Sequence, residues 1–189
     1  MWLIAVAVLL AGCATTAGTI EPGHQLGDAG AAVVVGRVEV IKPDGRPLGD
    51  PLHWLLTGDP LRGHMQLTTL RDDDGKKYQI RCDARGYISD FYVSLPPGRY
   101  QITEWRGDRY MSRVRAWFDV LLGRVVYIGA LRFVDAGEGF FSHKGAWSLG
   151  DGGEDGLRAF RERFPSLAGD VRRSLMFGDP GRPRPGPGT

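Results

Sequence analysis

Apolar residues recur with two different periods along this chain. From Ala31 to about Ala136 the spacing is that of short strands. The run Ala32-Val33-Val34-Val35-Gly36-Arg37-Val38-Glu39-Val40-Ile41 is dense in β-branched side chains, which suit a pleated, packed surface, and Pro43-Asp44-Gly45 ends it with turn chemistry. A weaker strand is expected over His53–Thr57. Met65-Gln66-Leu67-Thr68-Thr69-Leu70-Arg71 and Lys77-Tyr78-Gln79-Ile80-Arg81-Cys82 flank Asp72-Asp73-Asp74-Gly75, a local hairpin signature. Further strands are predicted over 87–95, 98–105, 113–121 and 124–134, separated by Gly or Pro. Alternation assigns inner faces: Phe91, Val93 and Leu95 in one strand, Tyr100 and Ile102 in the next. In 124–134, Val125, Tyr127, Gly129, Leu131 and Phe133 oppose Val126, Ile128 and Ala130. That strand is apolar on both sides and is expected to be central and covered on both faces. Seven or eight short strands at this spacing predict an antiparallel β-sandwich in a mainly β protein.

The period changes after Ala136. Residues 137–153 read as loop with a short strand at Ala146–Leu149. Leu157, Phe160 and Phe164 then form one apolar helical stripe, with Asp155 as N-cap. Pro165 breaks the helix. A second short helix is expected from Ser166, carrying Leu167, Val171 and Leu175, with Arg172 and Arg173 favourable near its C-terminal end. The sandwich over 31–136 and this helical hairpin over 137–177 form the folded part. Residues 13–30, rich in Ala, Thr, Gly and Pro, read as a flexible tether, and 178–189 as a disordered tail.

The apolar run Trp2–Leu10 stops at Ala11-Gly12-Cys13 and is too short to span a bilayer, which takes about 20 apolar residues. It has the character of an export signal. Leu10-Ala11-Gly12-Cys13 resembles the lipobox of bacterial lipoproteins. The resemblance implies that residues 1–12 are removed and that Cys13 carries a diacylglyceryl group. In a Gram-negative envelope, Ala14 in place of an acidic residue implies the outer membrane, facing the periplasm. The one departure from the pattern is the missing basic start, since no charged side chain precedes Glu21. A second resemblance lies in Ser94-Leu95-Pro96-Pro97-Gly98-Arg99-Tyr100-Gln101-Ile102, which is similar to the LPPGxY segment of prealbumin-like and carboxypeptidase-regulatory-like sandwich domains. It implies a strand, a Pro-Gly corner and a next strand opening on an inward aromatic. The resemblance is structural and implies no activity.

Composition alters this picture little. With 24 basic and 22 acidic residues the net charge is +2, which makes no electrostatic case for nucleic acid. The chain has two cysteines. Once Cys13 is lipidated, Cys82 has no partner within the chain and is expected as a small buried hydrophobe. No cofactor or metal is implied. Asp72, Asp73 and Asp74 concentrate carboxylates as a Ca²⁺ loop would, but without EF-hand spacing, so a solvated turn is expected. His53 and His64 flank a Gly/Pro-containing stretch, and with Asp72–Asp74 they offer a metal-binding or hydrolytic alternative. Trp105, Arg106, Arg109 and Tyr110 fall in one hairpin loop and combine the residue types that dominate binding hot spots. The expected protein is therefore a non-catalytic, lipid-anchored envelope protein. Its partners would be the membrane through its lipid and an envelope protein or glycan through its loops. A further alternative is an accessory subunit of an envelope assembly or secretion machine, pairing through a sheet edge.

Overall fold

The computed structural model describes residues 14–26, 31–46, 65–84, 87–107, 111–135 and 145–179. The strands are β1 (Thr15–Thr16), β2 (Gly18–Thr19), β3 (Ala32–Ile41), β4 (Met65–Arg71), β5 (Lys77–Ala84), β6 (Ile88–Leu95), β7 (Gly98–Arg106), β8 (Met111–Val120), β9 (Val125–Asp135), β10 (Gly145–Gly150) and β11 (Val171–Arg173). A single α-helix among the described residues, α1 (Gly153–Arg163), is followed by a 3₁₀ segment over Pro165–Asp170. The strands form two facing sheets. One runs β1-β5-β4-β7-β8 and the other is built on β6-β3-β9-β10.

The sheets are mixed, which corrects the antiparallel expectation. Most neighbours are antiparallel, but β3 runs parallel to β9, β1 to β5 and β11 to β9. Alternation within a strand reports which side chains face inward. It carries no information on the direction of the neighbouring strand, which depends on how the connections cross.

The core lies between the sheets. Phe91, Val93 and Leu95 of β6 and Tyr100 and Ile102 of β7 point into it as expected, with Val114, Ala116, Phe118 and Val120 of β8. Tyr100 stacks on Phe118 with ring centres 5.4 Å apart. A second apolar cluster occupies the outer face of the β6-β3-β9 sheet. There Leu157, Phe160 and Phe164 cover Val33, Val35, Tyr92, Val125 and Tyr127. Strands β3 and β9 are thus buried on both faces, as the continuous apolar pattern of 124–134 requires.

The face assignment within β9 needs one correction. Val126 and Ile128 share the inter-sheet core with Leu131 and Phe133, whereas Val125 and Tyr127 lie under the helix. A bulge shifts the register between Val35 and Arg37 of β3, so that Val35 faces Tyr127 and Arg37 faces Ala130. Gly129 sits in this irregularity with φ +82°, and a Cβ there would stand 2.5 Å from the Gly150 carbonyl oxygen. One extra residue inverts the alternation beyond it.

The two terminal segments close the open corners of the sandwich. Strands β5 and β6 pair only through Asp83–Ala84 and then diverge. Residues 15–19 fill the gap, β1 on Tyr78 and Gln79 and β2 on Val93 and Ser94, while Ala17 and Ile20 are buried. The stretch expected as a flexible tether is, over these residues, part of the sheets. On the opposite side β11 joins Val125–Tyr127. Ser174 and Met176 then donate backbone hydrogen bonds to Tyr127 and Ile128, and Phe177 bridges to Trp117 of β8. The expected second helix is therefore a 3₁₀ segment and an extended strand. Its apolar residues pack singly: Leu167 under α1, Met176 into the core, and Leu175 half-exposed. Gly152 precedes α1 in a left-handed conformation with no side-chain cap, and Asp155 lies inside the first turn. The short strand expected at Ala146–Leu149 is present as β10.

Ile20 separates a tether from a structural strand. It is 2% exposed, so Ile20→Ala should lower unfolding stability by about 2–4 kcal/mol in denaturant titration. A free tether would leave the midpoint unchanged.

Candidate functional site

Helix α1 covers only one outer face of the sandwich. Among the described residues, no element covers the outer face of the β5-β4-β7-β8 sheet. Since Tyr78, Ile80 and Cys82 of β5 point into the core, Lys77, Gln79 and Arg81 point out. By the same alternation Gln66 and Thr68 of β4 are outward, as are Arg99, Gln101 and Thr103 of β7 and Arg113, Arg115 and Trp117 of β8. In β7 the register shifts between Ile102 and Glu104. Beyond that shift Glu104 and Arg106 are outward, and Trp105 is inward.

This face is cationic. It carries Lys77, Arg81, Arg99, Arg106, Arg113 and Arg115 against Glu104 and Asp119. Both acids are engaged: Arg99 Nε lies 2.8 Å from Asp119, and Arg106 lies 3.2 Å from Glu104. Lys77, Arg81, Arg113 and Arg115 make no ion pair among the described residues. The β7 irregularity forms a shallow depression lined by Gln101, Thr103, Glu104, Arg113, Val114 and Arg115. Thr103 donates its hydroxyl to the Thr68 carbonyl oxygen at 3.2 Å. The depression thus offers two cationic arms and one amide side chain beside the Glu104 carboxylate, which stands across from Arg113 in the β7–β8 register.

A second polar group lies on the other sheet, in the rows that continue Val33, Val35 and Tyr92 past the end of the helix. Asp90 accepts two hydrogen bonds from Arg37 at 2.7 and 3.1 Å, and Glu39 accepts from Arg132 at 2.5 Å. Arg37 also stands 3.9 Å from Glu39. Burial works against the Arg37 charge, but the bonds and charge of Asp90, aided by Glu39, raise its pKa. Nearby, Tyr127 donates its hydroxyl to the Asp151 carbonyl oxygen at 2.6 Å. Burial pushes the Tyr127 phenol up to about 12. Each charge in this row faces an opposite one, so the arrangement closes the end of the outer face.

The residues proposed from sequence as a contact surface are not brought together there. Trp105 is 7% exposed. It stacks parallel to Phe133 at 6.5 Å and meets Trp147 edge-on at 5.4 Å. Its Nε1 has no hydrogen-bond acceptor among the described residues, whereas Trp147 donates to Ser112 Oγ at 2.8 Å. The β7 irregularity turns Trp105 inward, which loop composition alone does not reveal. Arg106 is exposed and pairs with Glu104. Arg109 and Tyr110 lie outside the described residues, as do Cys13, His53, His64 and the weak strand at 53–57. Asp72, Asp73 and Asp74 form an exposed turn in which Asp74 binds Arg71 at 2.6 Å and accepts the Lys76 backbone N–H at 3.0 Å. The Lys76 N–H first, then Arg71, hold the Asp74 carboxyl below its usual range. Cys82 is buried in the inter-sheet core. The cationic face was missed because its members come from strands far apart in the chain.

No family model and no curated protein matches this chain. Two solved structures give marginal likeness. A leucine-rich repeat protein from Bacteroides thetaiotaomicron is 13% identical with a TM-score of 0.37, covering 55% of this chain and 14% of that one. A 3-chlorocatechol 1,2-dioxygenase from Rhodococcus opacus is 11% identical with a TM-score of 0.22, covering 86% of this chain and 64% of that one. The chain thus spans less than two thirds of either protein's length, and at these scores neither likeness bears on fold or function.

Trp105→Ala should destabilise the fold by about 3–5 kcal/mol, as for other buried large aromatics, while Arg106→Ala should stay within about 0.5 kcal/mol. Thermal or denaturant melts compare them directly, and equal small effects would return Trp105 to the surface. A second outcome concerns alkaline pH. An unfolded tyrosine ionises near 10, and folded Tyr127 near 12. Above pH ~10 the unfolded state releases this proton while the folded state keeps it. The Tyr127 contribution is therefore complete below that pH and is lost as pH rises towards 12. Melts across this range should show a shallower loss in Tyr127→Phe than in the wild type.

Proposed function

We propose that this chain is a lipid-anchored cell-envelope protein, held by a lipid on Cys13, in a Gram-negative envelope at the outer membrane facing the periplasm. In this reading its β-sandwich is a non-catalytic binding module for an anionic envelope component. The observation that carries the binding role is the sheet face that no described element covers, on which Lys77, Arg81, Arg113 and Arg115 make no ion pair among the described residues. The anchor rests on Leu10-Ala11-Gly12-Cys13. A prealbumin-like kinship of the sandwich draws support from its corner: β6 ends at Leu95, Gly98 opens β7 with φ +145°, and inward Tyr100 donates its hydroxyl to the Pro96 carbonyl oxygen at 2.8 Å. The hydrolytic or metal-binding alternative draws little from the Asp72–Asp74 turn, where Asp74 is committed to Arg71 and Lys76.

One feature favours a second reading, an accessory subunit that pairs through a sheet edge. Strand β10, Gly145-Ala146-Trp147-Ser148-Leu149-Gly150, carries no charge and pairs only with β9 among the described residues. Such an edge is a template for strand addition.

Intact mass and membrane fractionation of the native protein beside Cys13→Ala test the anchor. The wild type should carry a lipid-sized increment and sediment with membranes, and the variant should lose the increment. A soluble, unlipidated wild type would remove the anchor from the proposal. For the face, Arg113→Glu/Arg115→Glu should elute from immobilised heparin, an anionic glycan, at clearly lower salt than the wild type. Co-elution would place anion binding elsewhere.

A further inference from the structure

We infer that the anionic component bound by the cationic sheet is the phospholipid headgroup surface of the membrane that carries the anchor, on which the sandwich lies with its β5-β4-β7-β8 sheet facing down. This rests on the lipid-anchor reading and adds an orientation to it. Its first support is where the chain enters the fold. Thr15 pairs with Tyr78 of β5, and β1 is the edge strand of the cationic sheet. Ala14 alone separates Cys13 from Thr15, and the two steps span at most about 7 Å when fully extended. With residues 15–20 sewn into the sheets, no slack remains for the domain to hang away from its anchor. A lipid on Cys13 therefore holds the edge of this sheet against the bilayer.

Charge is the second support. Among the described residues Lys77, next to the β1 pairing, Arg81 on the same strand, and Arg115 across the face make no ion pair, and Arg113 stands across from Glu104, which is held by Arg106. Each cation held at an anionic surface strengthens attachment by about fivefold. On the far edge Trp117 is half-buried, and Phe177 is exposed beneath the Arg99 guanidinium, 5.4 Å from the ring centre. Tryptophan, with its amphipathic ring, gathers at headgroup depth. The opposite side of the molecule, formed by α1, carries Arg158 and Arg161 paired with Asp155 and Glu154.

The test is arginine modification of the full, lipidated protein reconstituted in two kinds of vesicle. One is phosphatidylcholine alone and the other contains three parts in ten of phosphatidylglycerol. Phenylglyoxal labelling is read by peptide mass spectrometry. On the anionic vesicles Arg81, Arg113 and Arg115 should label at least about fivefold more slowly, while Arg158 and Arg161 are unchanged and half-molar salt abolishes the difference. Arg113→Glu/Arg115→Glu, two exposed positions whose exchange leaves the core intact, should lose the protection of Arg81. Equal labelling on both vesicles, with the lipid on Cys13 confirmed by mass, would overturn the orientation and leave the face for a soluble anionic partner. Absence of the Cys13 lipid would instead overturn the anchor on which the inference stands.

Discussion

Strand β9 constrains the rest of this fold because it must be buried on both faces. A strand apolar on both sides is stable only with a packed layer above and below. The facing sheet supplies one layer, with Val126, Ile128, Leu131 and Phe133 in the inter-sheet core. The chain supplies the other by folding Leu157, Phe160 and Phe164 back over Val125 and Tyr127. The bulge at Gly129 makes both possible, since it moves Leu131 and Phe133 onto the same face as Ile128. A side chain at Gly129 would meet the Gly150 carbonyl oxygen, so the bulge and the approach of β10 are one packing solution.

The single helix leaves an asymmetry. One sheet is sandwiched between core and helix, and no described element covers the outer side of the other. Polar residues collect on the second, and their signs are uneven because the acids there are already committed to Arg99 and Arg106. The chain as a whole is nearly neutral at +2, so the cationic character of this face is a matter of distribution. On the helix side the charges are balanced locally, as in the row Asp90, Arg37, Glu39 and Arg132. Charge that is half-buried must be paired. Charge on an open sheet need not be, and that is where recognition is available.

Much of this was legible in the residue pattern. The 65–71 and 77–82 hairpin, the inward faces of 87–95 and 98–105, the strand at 146–149 and the stripe Leu157, Phe160, Phe164 all depend on neighbours within a few residues, where period and turn chemistry speak directly. Three features escaped. Residues 15–20 have the small, polar composition of a linker, yet their backbone groups pair in the cleft between β5 and β6. Trp105 sits in a stretch rich in hot-spot residues but turns inward at a register shift. Leu167, Val171 and Leu175 have helical spacing, but residues 171–173 find an unpaired edge on β9, and pairing there outweighs the local preference.

The sequence by itself determined that the chain is mainly β, where most strands lie, which faces of several are apolar, and that an apolar N-terminal run ends at a cysteine. These follow from local steric preference and from the periods with which side chains leave a strand or helix. Tertiary structure alone decided that the sheets are mixed, that the segments at 15–20 and 171–177 close the corners of the sandwich, and that Lys77, Arg81, Arg113 and Arg115 share one face that no described element covers. Those outcomes depend on which backbone edges remain unpaired and which surfaces remain uncovered after the core has packed, and both are properties of the assembled chain rather than of any window of residues within it.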